Sequence, residues 1–201
     1  LLSIWESHHL RVSVRVLRGV EGANNVEDSL GWRVASPTAK EVSSSIESGL
    51  QPETSLDSLP MHCFLPLSHP VDRSDKRISG PMWIGSVGQT KAMVSMTEER
   101  ALELCGPNTI EDDPVDWSEK DFDYERRRVI RSVRHISEES GVIDAPHLIL
   151  VDDLASWLGS GSPPSPSVMA EGLRRADYRA AVAHYGKPAF RTDAPWDDIV
   201  R

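Results

Sequence analysis

Between Leu10 and Val16 the chain alternates without a break: Leu10, Val12, Val14 and Val16 fall on one face, Arg11, Ser13 and Arg15 on the other. A period of two with β-branched residues on one side predicts a half-buried β-strand. Such a strand presents unpaired backbone groups and an apolar face, so it demands a sheet to join. The chain opens on Leu1-Leu2-Ser3, with neither Met nor the basic and apolar regions of a signal segment ahead of the strand. It therefore reads as part of something longer, with some of its function upstream.

Beyond the strand, Gly19 to Asn25 reads as a turn and residues 35–79 as an irregular excursion rich in Ser, Thr, Pro and acid, with Met61 to Leu67 its one apolar patch. Gly80 to Gly85 predicts a short apolar strand. A helix follows over Gln89–Leu104, with Ala92, Met93, Met96 and Arg100 at helical spacing, stopped by Gly106-Pro107. Glu111 to Glu125 holds eight carboxylates and one Lys and reads as a solvated linker. The helix predicted over Tyr124–Glu139 has Phe122, Val129, Ile130, Val133 and Ile136 as its stripe and ends at Gly141. Arg127, Arg131 and Arg134 share another face, where ion pairs with the upstream acid account for them. Asp152 then caps a helix closed by Gly159, and Ser165 with Pro166 opens another through Ala176. A hairpin from Tyr178–Tyr185 and Phe190–Thr192 completes a helix, turn, helix, hairpin order that is winged-helix-like.

Composition narrows the function classes. The longest apolar run, around Leu148–Val151, is far short of the roughly 20 residues a membrane span needs. Two cysteines, Cys63 and Cys105, exclude a disulfide framework and fit a reducing cytoplasm. There is no Gly-x-Gly-x-x-Gly, P-loop, His-Glu-x-x-His or Gly-x-Ser-x-Gly. His62, Cys63 and His69 lack a fourth ligand, so no metal, and no zinc, is expected. Net charge is −9, but the acid lies in the middle. Residues 1–20 carry Arg11, Arg15 and Arg18. Residues 170–192 carry Arg174, Arg175, Arg179, Lys187 and Arg191 among Tyr178, His184, Tyr185 and Phe190. Cations interleaved with aromatics suit phosphates and unpaired bases; a solvated hairpin with ordinary aromatic packing is the alternative, and His184 fits a core position equally well.

Three segments together resemble the tRNA (guanine(26)-N2)-dimethyltransferase family. Leu1 through Val16 resembles the segment closing that family's methyltransferase sheet, and Gly80-Pro81-Met82-Trp83-Ile84-Gly85 resembles its Gly-Pro-Leu-Trp-x-Gly strand. Tyr178-Arg179-Ala180 through His184-Tyr185, then Arg191-Thr192-Asp193-Ala194-Pro195, resembles its Tyr-x-Ala-x-x-Thr-His-Phe and Lys-Thr-Asp-Ala-Pro. Val151 to Ala155 is similar to its Asp-Leu-x-x-Leu-Ala helix. The chain departs at Asp177 (usually Gly), Ala183 (Thr), Tyr185 (Phe) and Arg191 (Lys), and has only Cys63 where some archaeal members carry a cysteine cluster.

The resemblance implies an α+β chain: residues 1–20 ending a class I, Rossmann-like methyltransferase sheet, 21–79 connecting, and 80–201 a C-terminal tRNA-binding domain with an acidic linker near 107–123. It implies methyl transfer from S-adenosylmethionine, bound by a half not contained here, to the exocyclic N2 of guanine 26 in tRNA. That amine is delocalised into its ring and the base must leave its stack, so residues upstream orient it. This segment alone would be inactive and would hold tRNA through Arg11, Arg15, Arg174, Arg175, Arg179, His184, Tyr185, Lys187, Arg191 and Thr192. A cytoplasmic monomer is expected. The alternatives are a winged-helix DNA-binding regulator, with Arg174 and Arg175 reading bases, and a non-catalytic interaction module.

Overall fold

The computed structural model describes residues 2–6, 9–14, 16, 18–37, 61–105 and 118–201; Arg15, the stretch 38–60 and the acidic residues 106–117 fall outside the described residues. In chain order the elements are β1 (Leu2–Glu6), β2 (His9–Ser13), α1 (Val20–Asp28), β3 (Leu30–Ala35), β4 (His62–Pro66), β5 (Ile78–Trp83), α2 (Thr90–Val94), α3 (Glu98–Cys105), α4 (Glu119–Glu139), a 3-10 turn at Ser140–Val142, β6 (His147–Leu150), α5 (Val151–Leu158), α6 (Pro166–Arg175), β7 (Ala180–Val182), β8 (Ala189–Thr192) and α7 (Trp196–Ile199). Helices and antiparallel strands alternate, an α+β arrangement. Two compact units emerge, each assembled from three stretches of chain.

The first unit comprises residues 1–13, 87–148 and 165–193. The strand expected over Leu10–Val16 is shorter and already paired. β2 runs antiparallel to β1, with Leu2 opposite Ser13 and Glu6 opposite His9, as a two-stranded sheet. Among the described residues the last pair of the ladder is Leu2 with Ser13, and beyond it Val14 and Val16 stand 64% and 85% exposed. The single helix expected over Gln89–Leu104 is two, α2 and α3. Ser95 Oγ donates to the Ala92 carbonyl, and the Thr97 hydroxyl accepts from the Arg100 N–H as a fresh N-cap.

α4 begins five residues before its predicted start, so half of the expected acidic linker is helix. Asp121 accepts from both the Ser118 N–H (2.9 Å) and the Ser118 hydroxyl (2.6 Å), one arm of a capping box. Glu119, Asp121 and Asp123 crowd the first turns, where the helix dipole favours negative charge. Further along, Ile136 packs with Met93 and Ile143, while Val142, Ala145 and Ala181 form a second apolar cluster.

Ser165 and Pro166 open α6 as expected, with the Ser165 hydroxyl accepting from the Val168 N–H. It ends in a Schellman motif: Tyr178 N–H donates to the Leu173 carbonyl and Asp177 N–H to the Arg174 carbonyl. The motif needs a left-handed residue, and Asp177 fills it at φ 65°. β7 and β8 pair antiparallel, Ala180 opposite Thr192, and β8 is the middle strand in the order β6–β8–β7.

The second unit comprises residues 14–86, 149–164 and 194–201. Helix α1 occupies the predicted turn; it buries no side chain, so the apolar stripe that announces a helix is absent. The region expected to be irregular from residue 35 contains β4, and the strand expected over Gly80–Gly85 is β5, begun two residues earlier; both run antiparallel to the central β3 in the order β4–β3–β5. These strands do not alternate buried and exposed positions, which removes the period-two signal. Two Asx turns order the connection: Asp72 accepts from Ser74, and Asp75, drawn down to about 2 by its hydrogen bonds from Arg77, accepts from that guanidinium. Trp32 is buried on β3, with Arg73 5.2 Å over its ring. α5 starts two residues before its predicted first turn, leaving Asp152 inside the helix, and closes on left-handed Gly159 (φ 66°) as expected. Trp157 and Trp196 meet edge to face at 5.4 Å.

Two backbone substitutions test this packing. A Cβ at Gly31 would drive into the Leu65 carbonyl and the Ile84 side chain, so Gly31→Ala should lower the urea midpoint by the equivalent of about 1–3 kcal/mol. Asp177→Gly should raise it by about 1 kcal/mol, because glycine adopts the left-handed cap without the Cβ conflict.

Candidate nucleic-acid interface

Glu139 lies one helical turn after Ile136, on the inward side of α4, and is fully buried. Its carboxylate is the acceptor for three donors from the hairpin. Oε2 takes the His184 N–H at 2.9 Å and His184 Nδ1 at 2.5 Å, and Oε1 takes Arg191 Nε at 2.7 Å. His184 Nε2 stands 2.9 Å from the Ser3 carbonyl. Both ring nitrogens thus face oxygen atoms. Burial opposes ionisation of Glu139, but the His184 hydrogen bond and the Arg191 charge outweigh it and hold the carboxyl below its usual range. The ends of the hairpin are tied as well. Thr192 Oγ1 donates to the Arg179 carbonyl (2.9 Å), while Arg179 bonds Asp193 (2.7 Å), Asp144 (3.1 Å) and the Gly141 carbonyl (3.2 Å).

Between α4 and the turn of this hairpin opens a cleft of about 660 Å³. One wall is Tyr124, Arg128, Arg131 and His135 from α4; the other is Tyr185 and Lys187, with Pro166 and Ser167 at the head of α6. Tyr185 stacks on His184 with ring centres 4.6 Å apart, and burial raises its hydroxyl against the opposing charge of Arg191. Burial holds His135 below the usual imidazole range. The lining is rich in cations and aromatic rings, and among the described residues none of its side chains is acidic.

The predicted RNA-contacting residues divide sharply. Lys187 and Tyr185 line the cleft, and Arg11 is exposed on β2; Arg15 lies outside the described residues. Arg174 and Arg175 both bind Glu171 at 3.0 Å, and Arg174 also donates to the Ala180 carbonyl. Arg179 is held between Asp144 and Asp193. His184, Arg191 and Thr192 are interior. His184 and Arg191 bond the buried Glu139 carboxylate, 45 and 52 residues away, and Thr192 Oγ1 donates to the Arg179 carbonyl, so the three are corrected from surface contacts to residues that set the hairpin. The α4 arginines differ from expectation too. Arg134 pairs with Glu98 (3.0 Å) and Arg128 with Glu125 (3.1 Å), Arg127 donates to the Asp123 carbonyl, and no carboxylate among the described residues is within ion-pair reach of Arg131. The α4 wall was missed although its spacing, 124, 128, 131 and 135, is that of one helix face. His62 meets Phe64 edge-on at 5.3 Å, and no metal-holding group of His, Cys, Asp and Glu occurs among the described residues.

The whole chain, residues 1–201, matches the family described as N2,N2-dimethylguanosine tRNA methyltransferase. It is 26% identical over 201 residues to the tRNA (guanine(26)-N(2))-dimethyltransferase of Methanosphaerula palustris, covering 99% of this chain and 44% of that protein. To the protein of the same name from Methanothermobacter thermautotrophicus it is 22% identical over 215 residues, covering 99% and 43%. Its fold is similar to that of Trm1 from Pyrococcus horikoshii, solved in complex with S-adenosyl-L-methionine: TM-score 0.64 at 15% identity, covering 100% of this chain and 42% of that one. The chain spans less than half the length of these relatives.

Replacing Glu139 tests the buried network. Glu139→Gln leaves Arg191 without its anion and should destabilise the chain by about 3–5 kcal/mol near neutral pH. The folded carboxyl titrates below the unfolded one. Its contribution is therefore complete above the ordinary carboxylate range and is lost as pH falls through the lowered folded value. Urea titrations from pH 7 downward should show the gap between the two proteins narrowing in acid.

Proposed function

The chain belongs to the N2,N2-dimethylguanosine tRNA methyltransferase family, and from that premise we propose that it is the C-terminal, tRNA-holding portion of a tRNA (guanine(26)-N2)-dimethyltransferase. The observation that carries this reading is the cleft, in which Lys187 and Tyr185 face Arg128, Arg131 and Tyr124. Cations neutralise backbone phosphates, and an aromatic ring offers a platform to an unpaired base. The intact protein would transfer methyl groups from S-adenosylmethionine to N2 of guanine 26. The cationic lining suits phosphates and opposes a sulfonium, so the methyl donor would be held by the remainder of the protein, and this segment alone would be inactive.

In this reading β1 and β2 form the end of the methyltransferase sheet, and Val12, Val14 and Val16, all exposed, are apolar surface for it to cover. Residues 80–201 act as the tRNA-binding part, with 21–79 connecting. The strand order β6–β8–β7, with α6 feeding β7, is one a winged helix would have. A duplex-reading role for α6 has less support, because Arg174 and Arg175 share Glu171. A cytoplasmic setting fits a tRNA substrate, and among the described residues no helix is long and apolar enough to cross a membrane.

Fluorescence anisotropy with a tRNA transcript and a DNA duplex of matched length tests the proposal. The chain should prefer tRNA, and Lys187→Ala should flatten the plot of log affinity against log salt by roughly 0.7–0.9. Equal binding to both nucleic acids, or to neither, would overturn it.

A further inference from the structure

Tyr124, Arg128, Arg131 and His135 follow one another at intervals of four, three and four residues, which places them on one face of α4 along about 16 Å of its axis. All four line the cleft opposite Lys187 and Tyr185. A smaller hollow of about 240 Å³, bounded by Tyr124, Arg127, Arg128 and Arg131, continues from the same face. The helix carries many acids, yet this face presents none to the cleft.

Two guanidinium groups lie on this face. Arg131 is exposed and has no carboxylate within ion-pair reach among the described residues. Arg128 is held by Glu125 one turn back, with 42% of its side chain exposed. Such a surface pair contributes little, so the guanidinium can exchange a carboxylate for a phosphate. Tyr124 is 60% exposed. Burying that much ring area would be favourable, and the adjoining cations would meet the phosphates of a strand whose base covered it. A net charge of −9 repels a polyanion at long range, so attraction must come from cations within about 8–10 Å of the phosphates.

We infer that this face of α4 is the second wall of the RNA site, with Arg128 and Arg131 taking backbone phosphates and Tyr124 stacking on an unpaired base. The inference rests on the tRNA-holding reading and assigns its principal contacts to a helix outside the motif segments at the two ends of the chain. His135, kept neutral by its burial, closes the inner end of the stripe as a hydrogen-bonding group.

The test uses the whole chain and a tRNA transcript, with anisotropy measured across a salt series. Arg128→Ala with Arg131→Ala should weaken binding and flatten the salt slope by roughly 1.4–1.8, two phosphates' worth. Tyr124→Ala should weaken binding about 5- to 150-fold with the slope unchanged. Arg131→Lys should restore most of the slope, which separates loss of charge from loss of fold, and circular dichroism checks each variant. Unchanged affinity and slope in the double variant, while Lys187→Ala still flattens the slope, would overturn the α4 wall and leave the tRNA-holding reading standing. Absence of tRNA binding by the unmodified chain would overturn that reading instead.

Discussion

A single buried carboxylate, that of Glu139, ties α4, the hairpin and β1 together. Taking it out of water costs several kcal/mol, which only well-aimed donors offset. Here one oxygen faces Arg191 and the other faces both the backbone and the ring of His184. Since Glu139 belongs to α4 and its partners to the hairpin, the two walls of the cleft are pinned at one end by the same group. The His184 ring extends the link to the Ser3 carbonyl of β1. Three stretches far apart in the chain are thereby fixed by one ionic cluster.

That arrangement explains a division of labour among the basic residues. Charges nearest Glu139 are consumed internally, as are those near Asp144, Asp193 and Glu171. Two charges two to three turns toward the N-terminus of α4 line the cleft, Arg128 beside Glu125 and Arg131 with no carboxylate in ion-pair reach among the described residues. An arginine count therefore says little about binding here; what each guanidinium already touches decides its role. The same holds for the aromatics: Tyr185 lies half-buried on His184, whereas Tyr124 is exposed.

Elements legible in the sequence were those announced by a local device. Ser165-Pro166 opening α6, Gly159 closing α5 and the β7–β8 hairpin followed from capping and turn chemistry, and the structure has them there. Elements missed lacked such a device or carried it ambiguously. α1 has no apolar stripe, β3 and β4 have no clean alternation, and the acid over 119–125 resembles a linker until the Ser118–Asp121 cap is recognised as a helix start. Asp177 shows the converse. Its left-handed cap explains why the related motif has glycine at this place, although the residue type alone did not disclose it.

The sequence by itself determined the mixed α+β character, the caps and turns of the C-terminal third, and membership of a tRNA methyltransferase family, because these depend on neighbours within a turn or two or on motif order. Only the tertiary structure decided which charges are spent and which are offered. His184, Arg191 and Thr192 sit on the hairpin as any surface residues could, and Arg131 sits beside an acidic stretch as any paired residue could. Their fates depend on Glu139, 45 and 52 residues from His184 and Arg191, and on the direction in which α4 turns its faces. Pairing across such separations is set by three-dimensional proximity and desolvation, neither of which is written in local spacing.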